Sequence, residues 1–177
     1  MENRTITIVE CPRDAMQGIN NFIPTNIKVD YINSLINVGF DIIDFGSFVS
    51  PRAVPQMRDT ANVIDGLNLK ENTSLLSIIL NKKGALNAVS FDEIKILGFP
   101  LSISEIFQMK NSNQSIKSSL KLIDEIKNLC VKNNKTLLIY LSMAFGNPYG
   151  EFCDYDLLFH YVEEIKNKGI KMISIAD

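Results

Sequence analysis

The sequence predicts an α/β domain, a parallel sheet wrapped by crossover helices, from three observations. Short apolar runs alternate along the 177 residues with longer segments of helical period. The runs end on polar or charged residues, as strands do when their carboxyl ends carry a ligand site. No Pro/Gly/Ser tract or low-complexity run divides the chain, so residues 1–177 read as a single domain. Repeated strand–helix units of this kind fit two architectures, an open doubly wound sheet and a (β/α)8 barrel.

Six strands are expected, at residues 5–10, 41–48, 74–80, 93–99, 136–142 and 171–176. After the first, Pro24 and Thr25 supply helix-start chemistry, Ile27, Tyr31, Ile32, Leu35 and Val38 recur at steps of three and four, and Gly39 ends the run. Pro55 opens a second helix through Gln56, Met57 and Val63 to Ile64. Residues 81–91 carry a weaker helical pattern. Ile116, Leu120, Ile123, Ile126 and Cys130 stripe a longer helix that has lysines on its other face. Asp154 caps the last helix, in which Leu157, Leu158, Tyr161, Val162 and Ile165 form the apolar stripe before Gly169.

Composition narrows the function classes. At 46% hydrophobic and 21% charged residues the chain is in the globular range. Eighteen Lys and Arg against twenty Asp and Glu leave a net charge of −2, with no broad basic field, so nucleic acid is not an expected partner. Cys11, Cys130 and Cys153 are widely spaced, form no CxxC pair, and read as free thiols of a reducing cytosol. The opening MENRTITIVECPRD is too short in apolar residues for a signal-peptide core. No run approaches the roughly 18 apolar residues of a membrane helix. No membrane partner and a cytoplasmic location are the expectations.

The strand ends carry Arg13 and Asp14, then Asp44, Ser47 and Phe48, Asn81, Ser102 and Glu105, Tyr140 and Ser142, and Asp177. The first strand runs into Cys-Pro-Arg-Asp rather than the glycines of a dinucleotide fold. Read as extended chain, the adjacent Arg13 and Asp14 point to opposite faces and need not pair with each other. An Asp at a strand end suits a hard cation such as Mg²⁺ or Mn²⁺, and an Arg suits a carboxylate or a developing enolate.

ECPRDAMQ at residues 10–17 resembles the x-G-P-R-D-G-x-Q of the first-strand signature of 3-hydroxy-3-methylglutaryl-CoA lyases, and DFGSFVSPRAVPQM at 44–57 resembles their second-strand segment. YLSMAFGNPYG at 140–150 and ISIAD at 173–177 are similar to the fifth and sixth strands, so the likeness covers essentially the whole chain. It implies a TIM (β/α)8 barrel of which about six β/α units are here, a truncated or incomplete barrel. Six units in 177 residues scale to roughly 236 for eight, near the ~250 of a closed barrel.

The same resemblance implies an oxo-acid lyase that cleaves (S)-3-hydroxy-3-methylglutaryl-CoA to acetyl-CoA and acetoacetate by metal-assisted retro-Claisen chemistry. It implies Mg²⁺ or Mn²⁺ held by Asp14, an enolate oxygen stabilised by Arg13, and a substrate pocket lined by Arg13, Gln17, Asp44, Ser47, Tyr140 and Ser142. The partner is then a small acyl-CoA molecule, with a homodimer as the family's usual assembly.

This sequence departs from the pattern at several positions. Asp44 stands where a Glu is usual, one methylene shorter, and Cys11 and Ala15 stand where glycines are usual. The family's His-x-His pair, its ligating Asn and its reactive Cys are absent. His160 lies in the last helix beside its apolar stripe, Cys130 reads as a buried helical residue, and Cys153 is not matched to the reactive thiol. The chain alone is therefore expected to show negligible lyase activity. Two other readings use the same residues: a related condensing enzyme of the isopropylmalate or homocitrate synthase type, whose motif is usually R-D-G-E-Q, and a non-catalytic metabolite-binding remnant.

Overall fold

A computed structural model describes residues 6–151 and 154–177. Among them six strands form one sheet in the order β1-β2-β3-β4-β5-β6, each parallel to the next. They are β1 Val9–Glu10, β2 Ile42–Ser47, β3 Ser74–Ile78, β4 Ile94–Ser102, β5 Thr136–Ser142 and β6 Met172–Ile175. A doubly wound sheet would reverse its order at a switch point; this one never does. It is the curled arc of a barrel, six strands of a TIM-type half-barrel.

Both faces of the arc are packed, as in a barrel wall. Ile42, Leu76, Ile78, Ile96 and Leu138 form the inner cluster. Their alternating neighbours Ile43, Leu75, Leu97 and Ile139 join the larger outer core beneath the helices. The helices are α1 Pro12–Gln17, α2 Thr25–Val38, α3 Thr60–Ile64, α4 Lys82–Val89, α5 Glu105–Ser112, α6 Ile116–Lys132 and α7 Tyr155–Asn167. None of the helices among the described residues is long and apolar enough to cross a membrane.

Several expectations are corrected. The first strand shrinks from residues 5–10 to Val9–Glu10, because β2 offers it a partner only from Ile42 onward; Thr5 lies outside the described residues. β4 runs through Pro100 to Ser102, past the expected end at 99. Gly98 faces β3, since its carbonyl accepts the Ile79 amide (2.9 Å), and β3 stops pairing there. Pro100, two residues on, faces the same side, where no carbonyl of β3 requires its missing N–H.

The helix predicted from Pro55 to Ile64 divides into a 3₁₀ turn, Pro55–Met57, and α3. Helix α2 has the expected span, and Gly39 ends it in the left-handed region (φ 94°), but its core face is different. Ile27, Tyr31 and Val38 are exposed, while Lys28, Ile32 and Ile36 are buried. Lys28 is admitted to the core because its ammonium donates to the Gln56 carbonyl and to Asp59 Oδ1 (2.6 Å). Helix α5 was not expected at all.

Asp154 does cap α7, accepting from the amides of Asp156 and Leu157. His160 is on its surface, 3.9 Å from Glu164, and Cys130 is buried in α6.

Candidate active site

The site is assembled where β1 gives way to α1. Pro12 occupies the first turn of that helix, where its missing N–H costs nothing, and the helix replaces the extended segment expected there. Arg13, Asp14 and Gln17 then lie at helical spacings of one, three and four, and all three meet. Arg13 Nη1 donates to Asp14 Oδ1 (2.9 Å) and to Gln17 Oε1 (3.0 Å), and Gln17 Nε2 donates to Asp14 Oδ1 (2.7 Å). Arg13 and Asp14, which an extended chain would not require to pair, are thus an ion pair here.

Asp44 reaches the same guanidinium from β2. Arg13 Nε is shared between its two oxygens (3.1 and 3.2 Å), and Nη2 donates to Oδ2 (2.5 Å). The shorter side chain therefore spans to Arg13 without a Glu. A guanidinium has five N–H groups. Four are taken up by these bonds, which leaves one, on Nη2, for a ligand.

Loop and turn residues hold α1 in position. Buried Gln56 accepts from the Ile23 amide (2.9 Å) and donates to the carbonyls of Ile19 and Asn21 (2.9 and 3.0 Å), tying down the chain after the helix. The Pro-Gln-Met part of the second motif is thus a structural clasp.

Arg13, Asp14, Gln17, Asp44, Ser47, Tyr140 and Ser142, the seven expected site residues, line one cavity of about 330 Å³. Asp177 lines it too. Phe48 and Asn81 face a neighbouring cavity instead. Ser102 is buried and bonded, its amide donating to Gln108 Oε1 (2.8 Å) and its hydroxyl to the Ser142 carbonyl (3.3 Å). Glu105 accepts the Ile116 amide (3.1 Å) and so joins α5 to α6.

The sequence reading missed Asn111, which lines the cavity from α5. Its signal was present: Ser104 followed by Glu105 is a helix start, and Ser104 Oγ does accept the Phe107 amide (3.1 Å). Cys153 lies outside the described residues.

Electrostatics assign protonation states. Burial opposes the charge on Arg13, but the Asp44 hydrogen bonds and the charges of Asp44 and Asp14 outweigh it and raise its pKa, so the guanidinium is fixed. Burial pushes the Asp44 carboxyl above its ordinary value, with Arg13 pulling it back. Burial, then the charge of Asp44, also raise Tyr140 and Cys11. Tyr140 is therefore a neutral phenol, a hydrogen-bond donor rather than a base, and Cys11 a thiol.

Metal binding is less well served. Among the described residues no group of three His, Cys, Asp or Glu side chains could hold an ion. Asp44 gives both oxygens to Arg13, and Asp14, 63% exposed, offers one carboxylate. One exposed carboxylate leaves most of an octahedral Mg²⁺ or Mn²⁺ shell to other ligands.

Comparison with known proteins points one way. No protein-family model matches the chain. A hydroxymethylglutaryl-CoA lyase of Bacillus subtilis is 31% identical over 175 residues, 98% of this chain and 58% of the relative. The mitochondrial enzyme of that description from Gallus gallus is 37% identical over 175 residues, 97% of this chain and 58% of its own length. Among solved structures, an HMG-CoA lyase from Acinetobacter baumannii in complex with coenzyme A and 3-methylmalate superposes with a TM-score of 0.91, at 31% identity, covering 97% of this chain and 56% of that one. The chain thus spans less than three-fifths of the length of these relatives.

Proposed function

We propose that this chain, a homologue of the hydroxymethylglutaryl-CoA lyases over nearly all of its length, carries the substrate-binding half of such a carbon–carbon lyase. The observation that supports the reading is the Arg13–Asp44–Asp14–Gln17 cluster at the mouth of an arc of barrel strands. The reaction would split (S)-3-hydroxy-3-methylglutaryl-CoA. The tertiary hydroxyl loses its proton to a base, the bond between C2 and C3 breaks, and its electrons pass to the thioester carbonyl as the acetyl-CoA enolate. Protonation of that enolate gives acetyl-CoA, and the other fragment leaves as acetoacetate.

In this scheme Arg13 has the clearest role. Its charge is fixed by Asp44 and Asp14, and its remaining Nη2 N–H meets the thioester oxygen as charge develops there; one such donor in a sheltered site contributes roughly 3 kcal/mol. Tyr140, Ser142 and Gln17 orient hydroxyl and carboxylate oxygens. Asp44 acts by holding Arg13. The divalent cation implied by the resemblance would find one ligand, Asp14, and needs others from outside the described residues. A homodimer and a reducing, cytoplasmic setting complete the proposal.

The test is acetoacetate release from the CoA ester, with and without Mn²⁺, by this polypeptide. The expected result is binding without appreciable turnover. Robust metal-dependent release by this chain alone would show that the half-site account is wrong.

A further inference from the structure

We propose that the end of β2 and the start of α4 form a second subsite, specific for a phosphate-type oxyanion. A cavity of about 480 Å³ opens there and shares Ser47 and Val49 with the first. Arg58 and Lys83 line it, no Asp or Glu does, and neither cation has a carboxylate partner among the described residues. Arg58 is shared with a further cavity, where its guanidinium lies over the Phe22 ring, 3.7 Å from its centroid, so Lys83 is the cation that belongs to this subsite alone.

Two further features point to an anion. Asn81 caps α4, its Oδ1 accepting the Gly84 amide (2.8 Å) and its carbonyl the Ala85 amide (3.0 Å). The amide of Lys83, which lines the cavity and precedes these, has no carbonyl four residues back within the helix and remains for a ligand. The second feature is independent of the helix. Ser47 is 4% exposed, and its Oγ is the one buried side-chain oxygen or nitrogen without a hydrogen-bond partner among the described residues. An orphaned buried hydroxyl costs about 1–3 kcal/mol unless something bonds it. A tetrahedral oxyanion would accept from that hydroxyl, from the Lys83 amide and from the Lys83 ammonium, with Arg58 adding positive charge at the rim.

The backbone brings these groups together by close packing. A Cβ at Gly84 would come within 2.4 Å of the Phe48 carbonyl oxygen, so the helix start is pressed against the residue after Ser47. Substitution by any larger residue would push the Lys83 amide away.

Two sources have this chemistry: free inorganic phosphate, and the phosphates of a CoA-type ligand whose acyl end occupies the first cavity. The second source rests on the proposed function; the subsite does not. Calorimetric titration with inorganic phosphate, CoA and pantetheine, on the wild type and on Lys83→Glu, distinguishes them. Lys83 is exposed, so its reversal should leave the fold intact by circular dichroism. Saturable phosphate binding weakened about tenfold by Lys83→Glu supports the subsite. If CoA weakens in parallel while pantetheine does not, the ligand's own phosphates are the source. If CoA is unaffected, free phosphate is. Phosphate binding that does not saturate, or that Lys83→Glu leaves unchanged, overturns the proposal. An Arg13 variant without effect on CoA-ester binding would instead overturn the proposed function and leave the phosphate titration standing.

Discussion

Arg13 and Asp44, 31 residues apart in sequence, form a two-toothed ion pair that is almost entirely out of water: their side chains are 13% and 0% exposed. The pair joins α1 to β2 and aims the remaining guanidinium N–H. Removing one partner leaves the other buried without its counter-charge, which costs far more than the intact pair contributes.

Asp44→Asn should therefore lower the unfolding free energy by about 3 kcal/mol, read as a reduced midpoint in urea with an unchanged slope. Asp14→Asn, at an exposed position, should change stability by less than about 0.5 kcal/mol. Equal effects from the two substitutions would contradict the pairing described.

Lys28→Met tests the other buried pair. It leaves Asp59, 8% exposed, without its ammonium, although Thr25 Oγ1 still donates to Oδ2 (2.7 Å). A loss of about 3 kcal/mol is expected, and Lys28→Met with Asp59→Asn together should lose less than the two single changes summed. Strict additivity in that double-mutant cycle would exclude the coupling.

Gly84→Ala places a methyl group 2.4 Å from the Phe48 carbonyl oxygen, so backbone must shift, and should cost about 2 kcal/mol in thermal or urea unfolding. Gly18→Ala is the control: its Cβ would meet nothing within 4 Å, and φ is −86°. A near-neutral Gly84→Ala would mean that α4 can slide on β2.

Cys130 gives a pH signature. Burial raises its thiol from 9.0 to about 11, so the unfolded chain releases this proton first as pH rises. The stabilisation is complete below pH 9.0 and is lost on the way to about 11, amounting to about 2–3 kcal/mol. Comparing wild type with Cys130→Ala across that window isolates it, since the variant should lose less stability by about that amount. Identical pH curves would show that the thiol is not buried in solution.

Much of this is legible in the sequence, and what is not is chiefly what depends on distant partners. Strand β5 and the caps at Gly39 and Asp154 follow from local chemistry, and the expected site residues all face one cavity. The bond from Arg13 to Asp44 was not legible, because no local pattern specifies which charges meet across 31 residues. The burial of Lys28 is likewise not legible, because it depends on Asp59 and the Gln56 carbonyl, both distant in sequence. Helix α1 is a different case, since its signal is local: Pro12 stands at its start.

The central claim is that the α1–β2–β5 cavity binds the acyl-CoA substrate through Arg13. Titration of 3-hydroxy-3-methylglutaryl-CoA into the wild-type chain and into Arg13→Met, with Ser142→Ala as a variant that spares the ion pair, tests it most directly. The account predicts saturable binding that falls about tenfold or more in Arg13→Met and measurably in Ser142→Ala, with circular dichroism unchanged. No saturable binding by the folded wild type, or equal affinity in all three proteins, would contradict it.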